Sequence, residues 1–91
     1  MMEKLIKLPN IGPTLAQKLI TVGVKTPQQL QTIGSEQALI KIASLENGGA
    51  CINMLYALEG AIQNIRWHSL SQESKNDLKE IYHQVQKDIN R

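Results

Sequence analysis

The sequence predicts an all-α fold: a compact bundle of five or six short helices in one domain spanning residues 1–91. Three observations carry that prediction. Apolar residues recur at helical spacing through most of the chain, helix start and stop residues punctuate it densely, and the alternation of strands is nearly absent. At 91 residues the chain has room for one small core.

The elements follow in order. Pro9-Asn10-Ile11-Gly12-Pro13 is a compact turn, because Pro9 disfavours helix in Leu8 and Gly12 tolerates positive φ. Pro13 suits the first turn of a new helix, where its missing N–H costs nothing. Leu15, Ala16, Leu19 and Ile20 form that helix's apolar face, and Gly23 stops it. Thr26-Pro27 is a cap followed by a first-turn Pro, opening a short helix that Gly34 closes. Ser35 is placed to cap the next helix, with Ala38, Leu39, Ile42 and Ala43 on its apolar face, until Asn47-Gly48-Gly49 breaks it. Residues 50–65 are apolar almost all round, the pattern of a buried central helix, with Leu55, Leu58 and Ile62 expected near its middle. After a loop bearing Trp67, Ser71 caps a last amphipathic helix whose stripe is Leu78, Ile81, Tyr82, Val85 and Ile89.

Charge and cysteine content narrow the function classes. The net charge is +2, all of it in residues 1–49, where five Lys face three Glu. That excess draws phosphate weakly and falls short of a dedicated nucleic-acid arm. No apolar run approaches the ~20 residues needed to span a bilayer, and Met1–Asn10 lacks a signal-peptide core, so neither membrane insertion nor export is expected. A lone Cys51 points to a reducing, cytoplasmic compartment.

No chemistry-bearing cluster stands out. His68, His83 and Cys51 lack metal-ligand spacing, and no nucleophile elbow or further phosphate loop is present. The expectation is a non-enzyme with no cofactor, no metal and no small-molecule substrate. Asn53 and Glu59 are the strongly polar residues of the apolar helix. Glu59 is read as structural, accepting hydrogen bonds that clamp a neighbouring segment, since an unpaired buried charge is costly. Gly60 and Ala61 offer a small-residue patch for close approach.

Residues Leu5–Leu19 look like a helix-hairpin-helix element, whose form is L-P-G-I-G-x-x-x-A-x-x-L. Such a turn gathers backbone N–H groups and the positive end of the second helix at one spot, which suits a phosphate oxygen. The candidate phosphate residues are Lys7, Asn10, Ile11, Gly12, Thr14 and Lys18, with Ile11 pointing inward as the hairpin's apolar pin. Asn10 stands where that form has its first Gly. Asn tolerates the left-handed conformation, so the turn survives, while its side chain crowds the backbone's approach to DNA. No aromatic residue is expected near this hairpin, which limits it to sequence-blind contact. The segment Leu30–Ile40 is a degenerate echo with Glu36 in its first turn, a placement that suits the helix dipole and repels phosphate. Two readings of the hairpin stay open: a phosphate contact, or a packing corner.

L-P-N-I-G-P (Leu8–Pro13), G-V-x-T-P-x-x-L (Gly23–Leu30), C-I-N-M-L-Y-A-L-E-G-A-I (Cys51–Ile62), Trp67 and the turn at Leu70 together resemble the C-terminal domain of the bacterial TfoX/Sxy competence regulators. The resemblance runs from Leu8 to Leu78, and its L-Y-A-L-E-G-A block is more specific than any hairpin signature. It implies a helical fold of the SAM or helix-hairpin-helix kind and a role tied to regulating DNA-uptake genes. Members of full length carry an N-terminal α/β domain before this one, so the chain is expected to act as a stand-alone C-terminal domain. Two partner classes follow. One is duplex DNA, bound weakly through the hairpin. The other is a protein partner or a second copy of the chain, bound through an apolar helix face.

Overall fold

Three of the helices, near Pro13, Pro27 and Ser71, begin where the local chemistry favours a start. The structure, a computed structural model, describes residues 2–89, apart from the Ile89 side chain. Five helices and a 3₁₀ turn make up the described chain: α1 (Met2–Ile6), α2 (Pro13–Thr21), α3 (Pro27–Ala43), α4 (Ile52–Gln63), the 3₁₀ turn (Trp67–Ser69) and α5 (Gln72–Ile89). Pro13 and Pro27 occupy the first turns of α2 and α3. The Thr26 hydroxyl accepts from the Gln29 amide at 3.1 Å, and the Gln29 side chain accepts from the Lys25 amide at 2.7 Å, so the two residues satisfy free donors on both sides of the helix start. Ser71 caps α5 by accepting from the Ser74 amide at 3.0 Å.

Gly34 breaks the helix as expected. Its φ of 83° and ψ of 166° are non-helical, so α3 consists of two helical segments that meet at a kink there. Ser35 does not cap the second half. Its buried hydroxyl donates to Glu59 Oε1 at 2.7 Å, joining the kink to α4.

The core runs continuously through all five helices. Its fully buried large side chains are Leu5, Leu19, Leu30, Leu39, Ile42, Leu55 and Leu58. Helix α4 packs against α3, α5 and the 3₁₀ turn, as its nearly all-apolar surface requires, while α1 and α2 pair across their turn. Ile62 is half-buried, so the centre of the core lies on the Leu55–Leu58–Ala61 side of α4. On α5, Leu78 and Val85 are buried and Ile81 and Tyr82 half-buried; the Ile89 side chain of the expected stripe lies outside the described residues. A radius of gyration of 12.1 Å matches the ~12 Å expected of a folded chain this long. Among the described residues no helix is long and apolar enough to cross a membrane.

Glu59 holds two elements at once. Its Oε1 accepts from Ser35, and its Oε2 accepts from Gln63 Nε2 at 2.8 Å. Glu59→Ala leaves the buried Ser35 hydroxyl without its acceptor, so stability should fall by about 1–3 kcal/mol in a thermal or denaturant melt. An unchanged midpoint would show that the contact contributes nothing.

Candidate functional site

The hairpin between α1 and α2 turns on Asn10, whose φ of 70° places it in the left-handed region. Its short polar side chain makes that conformation accessible. The side chain then reaches across the molecule. Asn10 Nδ2 donates to the Ile65 carbonyl at 2.9 Å and to the Ala57 carbonyl at 3.4 Å, while Oδ1 accepts from the Trp67 amide at 3.0 Å. The turn is thereby fastened to the end of α4 and the start of the 3₁₀ turn.

Gly60 makes this approach possible. A Cβ at that position would lie 2.5 Å from Asn10 Nδ2, 2.9 Å from the Ile65 carbonyl oxygen and 3.2 Å from the Trp67 Cα. The small-residue patch on α4 is thus occupied by the hairpin turn itself.

The remaining candidate residues divide by exposure. Ile11 is buried and packs into the core. Lys7, Gly12 and Thr14 are exposed. Gly12 occupies the N-cap position of α2 in extended geometry, no side chain caps the helix there, and a Cβ on Gly12 would meet nothing within 4 Å. Lys18 is half-buried, and its Nζ donates to the Gly48 carbonyl at 2.7 Å, tying α2 to the loop after α3. That bond uses one of three ammonium donors and leaves the charge in place. Asn53 is exposed in the first turn of α4.

Two placements exceed what the sequence conveyed. An aromatic does stand beside the hairpin, because Asn10 fixes the Trp67 backbone there. Its ring is already engaged: Tyr56 stacks at a centroid distance of 5.8 Å, His68 at 3.9 Å, and Lys75 Nζ lies 5.7 Å from its centroid. The Lys18–Gly48 tie is the second. Its sequence signal is faint, a Gly pair whose carbonyls are open to a long cation. Among the described residues no group of three or more His, Cys, Asp or Glu is arranged to hold a metal ion, and Cys51 is a free, exposed thiol.

The fold is shared with solved structures. Residues 1–82 match the family model of the TfoX C-terminal domain. The chain is 44% identical to an uncharacterized protein from Listeria monocytogenes in a triclinic crystal form, over 90% of this chain and 92% of that one, with a TM-score of 0.85. It is likewise 44% identical to a Listeria monocytogenes protein of unknown function in a tetragonal form, over 87% of this chain and 96% of that one, with a TM-score of 0.80. No curated protein matches it. The family model spans the hairpin, the Gly60 patch and the Trp67 turn, and the chain belongs to the TfoX C-terminal domain family.

Proposed function

We propose that the domain is a non-enzymatic regulatory module that contacts the backbone of duplex DNA weakly and without sequence preference through the α1–α2 hairpin. The observation that carries this reading is the exposed start of α2, uncapped by any side chain, with Gly12 open to solvent and Lys7 exposed on the turn before it. The first amides of a helix and its positive dipole end favour a phosphate oxygen. Membership of the TfoX C-terminal family supports a regulatory role, which the resemblance ties to genes of DNA uptake. The proposal puts the domain in the cytoplasm, where its DNA partner lies and where the Cys51 thiol stays reduced.

The magnitudes set the expected result. A hairpin with Lys7 and Lys18 neutralises about two or three phosphates, so log affinity should fall with log salt at a slope of roughly −2 to −3. Affinity should be no tighter than about 10⁻⁴ M at physiological salt. Fluorescence anisotropy with a labelled duplex at low and moderate salt measures both. Absence of binding at low salt, or binding unchanged by a combined Lys7→Gln and Lys18→Gln substitution, removes the hairpin from the function.

A second reading, association with a protein or with another copy, is favoured by one observation. Ile40 is 37% exposed and lines a surface groove with Ala43, Ser44, Val85 and Asp88. Apolar association is insensitive to salt, whereas phosphate binding is not. Light scattering with and without duplex DNA separates the two readings.

A further inference from the structure

Residues 4–35 contain no Asp or Glu, and neither do residues 60–72. Apart from Glu3, every acid of the chain falls within 36–59 or 73–88. The fold joins the two acid-free segments through one side chain. Asn10 bonds the Ile65 carbonyl at 2.9 Å and the Trp67 amide at 3.0 Å, so the peptide groups on both sides of Arg66 are anchored to the hairpin turn. Arg66 itself is extended, with φ of −68° and ψ of 141°, and exposed. Its guanidinium has no hydrogen-bond or ion-pair partner among the described residues. The neighbouring His68 is also exposed.

We propose that Arg66 is a second phosphate contact of the DNA-binding surface, held beside the hairpin by Asn10. The inference rests on the DNA reading above and names a residue outside the hairpin motif. A guanidinium presents paired donors that match a phosphate's oxygens and keeps its charge at any physiological pH. Phosphates on one strand recur about every 3.4 Å along the helix axis. A cation whose own backbone is pinned to the turn therefore falls within a few phosphate steps of the α2 amides. With no carboxylate in either segment, nothing on them opposes the approach of a polyanion. Because the Trp67 ring is occupied by Tyr56 and His68, the added contact brings phosphate affinity and no base readout.

The test compares wild type, Arg66→Gln, Arg66→Lys and Lys87→Gln by anisotropy against one short labelled duplex over a salt series. Lys87, exposed near the end of α5, supplies the same change in net charge from a segment that carries acids. Arg66→Gln should weaken binding about tenfold at low salt and make the salt slope shallower by about 0.9. Arg66→Lys should retain the wild-type slope, Lys87→Gln should change little, and all four should melt alike because both side chains are exposed. Wild-type binding that Arg66→Gln leaves unaltered, or that Lys87→Gln weakens equally, overturns the Arg66 contact and leaves the hairpin reading standing. No wild-type binding at low salt overturns both.

Discussion

Leu55→Ala should lower the unfolding free energy by about 2–5 kcal/mol, the range for removing a large aliphatic side chain from a packed core. Leu55 is fully buried on α4, the helix that packs against α3, α5 and the 3₁₀ turn, so little of the vacated space can be filled by movement of one neighbour. For a domain of this size, each kcal/mol corresponds to roughly 4–8 °C, so the midpoint should drop by roughly 8–40 °C. Ile62→Ala on the same helix should cost distinctly less, because Ile62 is only half-buried. Equal losses at the two positions would contradict the placement of the core.

Gly60→Ala should also destabilise, by about 2–4 kcal/mol, although helix propensity alone argues for the opposite sign. Within a helix, Ala exceeds Gly by about 1 kcal/mol. Here the new methyl would sit 2.5 Å from Asn10 Nδ2 and 2.9 Å from the Ile65 carbonyl oxygen. Neither atom is free to yield, since they are hydrogen-bonded to each other at 2.9 Å. Overpacking costs about 1–3 kcal/mol, and separating Asn10 from its partners adds the loss of buried hydrogen bonds. In an Asn10→Gly background the side-chain clash disappears and the carbonyl clash remains, so the penalty should shrink without vanishing. Denaturant melts of the four proteins in that cycle measure the coupling directly. A stabilised Gly60→Ala would mean that the turn does not rest on α4.

The same residues show how far sequence reasoning extends. The Pro13 and Pro27 helix starts, the Thr26 and Ser71 caps and the Gly23 stop depend on atoms within a few residues, and the structure has each in place. The left-handed tolerance of Asn10 is equally local, and its φ is 70°. Gly34 ends the first segment of α3 by the same kind of local rule, with φ of 83° and ψ of 166°. The glycine alone does not convey that the next segment is joined to α4 through Ser35 and Glu59.

For the candidate site the division is sharper. Residue types suited to phosphate were legible around the hairpin, yet their side-chain destinations were not. Asn10 is spent on residues 47–57 positions away, Lys18 on a carbonyl 30 positions away, and Ser35 on a carboxylate 24 positions away. Trp67 entered the hairpin's surroundings by the same route. Helix positions, the central place of α4 and the family pattern were determined by the sequence itself, because caps, glycine conformations and apolar periodicity act within one or two turns. Only the tertiary structure decided which polar groups meet, which cations stay free and which face of α4 is innermost, because those outcomes depend on how distant helices pack and on a single small residue, Gly60, that lets the turn descend onto the core.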